Sequence, residues 1–240
     1  MIGTILNIVT VIIGGGLGSL LGNRLPDKTR ETVLAGLGLM TSAVGMSMAL
    51  QTKNVLIPMF SVLLGGVLGE WARLEDHLEA VGRWLERRVG QRMASGQRSV
   101  TRAFVTASLV FCIGPMTILG SIQDGLTGDF QLLAVKSLLD GFASLAFAAT
   151  LGPGVILSAL TILVVQGSIT GLTVALGSTL GEVTRQTPWV IEMTATGGVL
   201  VLGISLLLLD LRRVRVGNLM PAVLLAPLIV VALQALHINY

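Results

Sequence analysis

The chain has 240 residues, 52% hydrophobic and only 12% charged, with a mean hydropathy of +0.84. A soluble domain is about 25% charged, so this composition excludes an ordinary soluble globule; repeated apolar runs of about 18 or more residues point to a polytopic helical membrane protein. The net charge of +3 and pI near 9.6 do not signal nucleic acid, because the basic residues lie between apolar runs and form no patch with interleaved aromatics.

The N-terminal run MIGTILNIVTVIIGGGLGSLLG lacks the basic start and short apolar core of a signal peptide, so it reads as a first span over 3–22, ended by Asn23-Arg24-Leu25-Pro26-Asp27. Span 2 is expected over 32–50, a polar link over 51–54, and span 3 over 55–72. The stretch 73–93 changes character: Leu74, Leu78, Val81 and Leu85 recur at helical spacing among Glu75, Asp76, Glu79, Arg83, Glu86, Arg87, Arg88 and Arg92. That pattern predicts an amphipathic helix on the membrane surface rather than a span. A Ser/Gly/Gln linker (94–99) divides the chain into 1–72, 73–99 and 100–240, within one integrated membrane domain.

Span 4 is expected over 101–119, a polar loop over 120–131 and span 5 over 132–150. The run 155–183 is too long for one straight span, and Gln166-Gly167-Ser168 suggests a broken span 6. Spans 7 and 8 follow over 188–209 and 217–236. Eight spans with both ends outside place thirteen Lys and Arg residues in cytoplasmic segments against two outside, Lys53 and Arg185.

Residues 111–141, FCIGPMTILGSIQDGLTGDFQLLAVKSLLDG, concentrate breakers and ionisable groups amid this apolar helix. Gly114, Pro115 and Gly120, with Gly167 further on, are the expected helix breaks. Ionisable groups at membrane depth are costly and are usually used. Lys136 and Asp140 are four apart, so they share a helix face and can pair. Such a pair serves either as a charge site that a solute can split, or as a snorkelling lysine beside a packing aspartate. Asp124 and Asp129 bracket Gly125-Leu126-Thr127-Gly128, offering oxygen ligands to a hard cation, although a solvated turn needs the same residues and the D-x-D-x-D-G calcium pattern is absent. Glu192 lies near the start of span 7, where an acid also suits the helix dipole. Gln166, Asn7 and Asn218 are neutral polar groups suited to interhelical hydrogen bonds. The expected solute or ion pathway is Asp124, Lys136, Asp140, Gln166 and Glu192, with Gln123 and Ser137 flanking.

Cys112 stands alone in an apolar run, and His77 and His237 are not at metal spacing. No nucleophile elbow, phosphate loop or H-E-x-x-H is present, so neither an enzyme nor a cofactor is expected. Three segments echo one another around a Gly-xxx-Gly: Ile13 to Ser19, Leu64 to Glu70 and Leu176 to Glu182. They read first as packing surfaces, within the chain or in a homo-oligomer. Related spans 1–3 and 6–8 would make an inverted repeat.

With GxLGxLLG at Gly15 to Gly22, the 111–129 stretch, KSLLDGFAS at Lys136, QGSIT at Gln166, EMTATGG at Glu192 and NLMPA at Asn218, the chain resembles the YqgA/YdfK-type family of bacterial inner-membrane proteins over its full length. The resemblance implies a multi-pass inner-membrane protein of a family with no assigned function, described as transport-related. The residues alone support a small transporter or channel for an ion or small polar solute. The alternative is a non-transporting assembly or regulatory protein, using its Gly-rich faces and the basic helix to meet anionic lipid or a partner.

Overall fold

A computed structural model describes residues 1–22, 25–93, 99–176, 184 and 186–237. Among these the chain is helical, with no strand. In chain order the helices are α1 (Ile2–Gly22), α2 (Asp27–Ala49), α3 (Leu56–Ala72), α4 (Leu74–Met93), α5 (Val100–Cys112), α6 (Pro115–Leu126), α7 (Gln131–Leu151), α8 (Ser158–Leu176), α9 (Pro188–Leu208), α10 (Val216–Leu219) and α11 (Pro221–Ala235); a 3-10 turn, Pro153–Leu157, precedes α8. Among the described residues six helical stretches are long and apolar enough to cross a membrane, and eight when the bent pairs α3/α4 and α5/α6 each count as one crossing.

Leu20, Leu63, Phe142, Val164 and Leu224 all point outward and are well exposed. Large apolar side chains facing out in such numbers require hydrocarbon as their solvent. In that solvent every backbone group must be bonded within the protein, which is why these segments are helices. The expected all-helical membrane architecture is therefore the one observed.

The helices form two compact units, each assembled from distant stretches: residues 1–36, 78–112 and 116–183 in the first, and 37–77, 113–115 and 184–240 in the second. In the first unit, α1 and α7 share a long seam. A Cβ added at Gly14, Gly18 or Gly22 would collide with the carbonyl oxygen of Gly141, Leu145 or Ala149 respectively. The numbers rise together, so the two helices run in the same direction. Missing side chains bring the backbones together where there is no water to drive association. Gly154 sits against Val100 and Ala103, and Ser108 Oγ lies 2.9 Å from Thr161 Oγ1, so α5 and the 3-10/α8 segment also run parallel.

In the second unit, Gly65 and Gly69 of α3 meet Ala222 and Asn218, while Gly38, Gly45 and Ala49 of α2 meet Leu209, Leu202 and Gly198 of α9. Both series run in opposite senses, so α3/α11 and α2/α9 are antiparallel. Ile57, Ala226 and Val230 form a small apolar core there, with Trp189, Ile229 and Leu233 packed on it. These directions agree with eight crossings. Three crossings (α2, α3/α4, α5/α6) separate the parallel pair α1 and α7, and four separate α2 from the antiparallel α9. Were α5/α6 to enter and leave by one face, both relations would invert.

The first two Gly-xxx-Gly echoes are thus occupied by the chain's own helices; the third, at 177–182, lies outside the described residues, as do Arg24, Arg185 and 94–98 of the linker. Two expected breaks need correction. Gly167 lies inside α8, which is continuous from 158 to 176, so span 6 is not broken there. Gly120 lies inside α6 against Leu133, and the loop before α7 shrinks to 127–130. One glycine costs a helix only about 1 kcal/mol, too little to release backbone groups where no water can accept them.

Candidate functional site

The break that does occur is at Ile113-Gly114, where α5 ends and α6 departs at 61°. Its origin is Pro115, which has no N–H, so the carbonyl of Phe111 loses its i+4 helical donor. Two side chains replace that donor: Lys136 Nζ donates to Phe111 O at 2.9 Å and Thr117 Oγ1 donates to the same oxygen at 3.0 Å. An ammonium group at the C-terminal end of a helix also meets the negative end of its dipole. The Phe111 and Phe147 rings, 6.1 Å apart, fix the end of α5 against α7.

Lys136 also pairs with Asp140, one turn along α7, and Asn7 Nδ2 of α1 donates to Asp140 Oδ2 at 3.0 Å. The side chains of Lys136 and Asp140 are 6% and 12% exposed, so neither the snorkelling reading of Lys136 nor a water-screened pair fits. Lysine, aspartate and asparagine form one buried network in the N-terminal halves of α1 and α7, in which the Asn7 amide nitrogen is engaged and its oxygen is not. The parallel glycine seam is what lets α1 come close enough to reach it. Ser137, expected to flank the pair, donates to Leu133 O at 2.6 Å within its own helix and is otherwise buried.

Asp124 is buried in α6 rather than solvated in a loop, because α6 runs about two turns further than its glycines suggested. Its Oδ2 accepts from Gly3 N at 3.2 Å, and its Oδ1 lies 2.9 Å from the Met1 amino group. Asp129 is exposed and accepts instead from Gln131 N at 3.0 Å, at the start of α7. The two carboxylates considered together as cation ligands therefore have separate roles. Among the described residues no group of three or more His, Cys, Asp or Glu is placed to hold a metal. Gln123 is half-buried beside them.

Gln166 of α8 is fully buried, with neither amide atom hydrogen-bonded. Sequence reasoning missed Thr4, Ser121 and Thr170, whose hydroxyls are likewise buried and unpartnered. A signal was available: Ser121 precedes Asp124 by three residues and Thr170 follows Gln166 by four, so each shares the face of a residue already singled out. Thr117 was missed as well, because its role depends on the carbonyl freed by Pro115.

Glu192 belongs to the second unit. Both its oxygens are engaged, by Thr52 Oγ1 at 2.6 Å and Lys53 N at 2.8 Å, so it fastens the α2–α3 link. In the same unit Asn218 Oδ1 accepts from Glu75 N at 2.8 Å, and Gly217 N donates to Glu75 Oε2 at 3.0 Å. Asn218 Nδ2 donates to Glu70 Oε2 at 2.6 Å, and Arg215 reaches Glu70 Oε1 at 2.8 Å. Glu75, which the amphipathic pattern assigned to a polar face, is buried by this clasp.

The family model described as "Protein of unknown function (DUF554)" matches residues 2–231. The chain is 28% identical over 244 residues to the uncharacterized membrane protein YdfK of Bacillus subtilis (strain 168), covering all of both chains. It is 30% identical over 227 residues to the uncharacterized protein YqgA of Escherichia coli (strain K12), covering 94% of each. No solved structure matches the chain. By that match over nearly the whole chain, this helical membrane protein is a member of the DUF554 family.

Proposed function

We propose that the chain is a small transporter or channel whose pathway lies in the first unit, with Lys136, Asp140, Asn7, Asp124 and Gln166 along it. The observation carrying this reading is the buried Lys136–Asp140 pair seated on the carbonyl that Pro115 leaves open. Merely structural packing has little use for such a pair, since apolar residues of the same volume hold helices together as well or better. Discontinuous helices that offer bare carbonyls to charged groups recur at transport sites. An eight-span arrangement with both ends outside is supported by the distribution of Lys and Arg.

The test is flux through purified protein in liposomes, with sodium, potassium, chloride, proton, amino-acid and uncharged-solute probes, comparing wild type with the Lys136→Met/Asp140→Leu double variant. The expected result is at least one probe passed by the wild type and not by the variant. Passage of none, or equal passage by both, would overturn the reading.

A specific observation keeps the second reading in play. Trp84 and Val81 of α4 are exposed beside Arg83, Arg87 and Arg88, and the Arg88 guanidinium lies 5.4 Å from the centroid of the Trp84 ring. An aromatic among arginines suits an anionic lipid surface. This surface is compatible with transport and does not by itself require a regulatory role. The assembly version of that reading loses the Gly14–Gly22 and Gly65–Gly69 faces, which the chain itself covers.

A further inference from the structure

Five side chains of the first unit end in buried polar atoms with no hydrogen-bond partner: Thr4 Oγ1, Asn7 Oδ1, Ser121 Oγ, Thr170 Oγ1 and both amide atoms of Gln166. All five residues are at most 1% exposed. Such groups are rare in folded proteins, and each calls for an explanation. The ordinary escape for a hydroxyl in a membrane helix is to donate to a carbonyl one turn back. Ser61, Ser137, Thr150, Thr194 and Thr196 all do so. Ser121 and Thr170 do not.

Their placement is not scattered. Thr4 and Asn7 share a face of α1, and Gly3 beside them donates to Asp124. Ser121 shares the face of α6 that carries Asp124 and Gly125, and a Cβ on Gly125 would lie 2.8 Å from Thr170 O. Gln166 and Thr170 share a face of α8, and α8 packs against α1. The unpartnered atoms therefore sit on the faces by which α1, α6 and α8 meet. Asn7 joins this set to the ion pair, its amide nitrogen on Asp140 and its oxygen free.

We propose that these residues bind a small uncharged solute that both donates and accepts hydrogen bonds, of the amide or polyol kind, between α1, α6 and α8. This rests on the reading of the first unit as a pathway and gives it a substrate class. Charge argues for an uncharged ligand. The nearby carboxylates are already engaged, Asp140 by Lys136 and Asn7, and Asp124 by Gly3 N and the Met1 amino group. What remains free is three hydroxyls, one carbonyl and a complete primary amide. A dehydrated cation would use the oxygens but leave the Gln166 NH2 without an acceptor. A carboxamide or vicinal diol answers both ends of the amide.

The experiment uses the full chain in liposomes. Stopped-flow light scattering follows re-swelling after hyperosmotic shock with acetamide, glycerol or erythritol, with protein-free liposomes as baseline, for wild type and Gln166→Leu. The expected result is protein-dependent entry of at least one probe, lowered tenfold or more in Gln166→Leu, while that variant melts no lower than wild type. Unchanged melting excludes misfolding as the cause, since leucine removes an unsatisfied amide at similar volume. Equal entry in both proteins would overturn the site. If a charged probe passes in a manner sensitive to Lys136→Met/Asp140→Leu and no uncharged probe does, the substrate class is wrong while the transport reading stands. If no probe of any kind passes, both fall.

Discussion

Replacing Lys136 by methionine keeps the volume of the side chain and removes its ammonium. Asp140 would then retain only the Asn7 amide, and Phe111 O only the Thr117 hydroxyl. Because both charged side chains are nearly inaccessible, water cannot take over the screening. Removing one partner of a buried pair costs about 3–5 kcal/mol. Neutralising a carboxylate of ordinary acidity at pH 7 costs about 4 kcal/mol, so the variant's loss has a ceiling of that order. A chain of this size shifts by about 2–4 °C per kcal/mol. Lys136→Met should therefore melt about 6–16 °C below wild type in detergent at neutral pH.

Asp140→Leu strands the ammonium instead and should lose a similar amount. The double variant, with both charges gone, should recover to wild-type stability or exceed it. Each unit of acidification lessens the cost of neutralising Asp140 by about 1.4 kcal/mol. Lys136→Met should thus recover toward acid relative to wild type, and Asp140→Leu should not. Differential scanning fluorimetry of the four proteins across pH 5–8 checks this. Single variants within about 1 kcal/mol of wild type, or a double variant no better than the singles, would refute the view that the pair is buried and mutually dependent.

Along α1, Gly18→Ala should lower stability by about 1–3 kcal/mol by forcing a methyl against Leu145. Gly16→Ala, where nothing lies within reach, should be neutral or stabilising by melting temperature in the same detergent. In the second unit Asn218→Leu takes the acceptor from the buried Glu75 N–H and one of the two donors from Glu70, which keeps Arg215, a loss of about 1–3 kcal/mol measurable by the same assay. Glu192→Gln retains the shape but weakens the bonds from Thr52 and Lys53; about 1–2 kcal/mol is expected, with coupling to Thr52→Val in a double-mutant cycle.

The membrane class, the succession of long apolar helices and the helix break at Gly114-Pro115 were legible in the amino-acid sequence. Each follows from a local quantity: apolar length, charge between runs, and a missing N–H. The pairing of Lys136 with Asp140 was legible for the same reason, since four residues is one helical turn. Tertiary structure alone decided the rest. That Pro115 frees the Phe111 carbonyl for Lys136, 25 residues away, depends on α5 packing beside α7. Asp124 read as a loop residue because three glycines surround it, yet dense packing held the helix through Gly120 and Gly125, leaving only Gly128 in the loop. Gln166-Gly167 read as a break on the same evidence and proved continuous. Glu192 and Asp140 have similar local surroundings in sequence, both acids in apolar helices, but they fall in different compact units and meet different donors. Local pattern fixes which groups are costly to bury; only the partners brought from distant helices decide whether that cost is met by a neighbour, as at Glu192, or left unmet within the chain, as at Gln166.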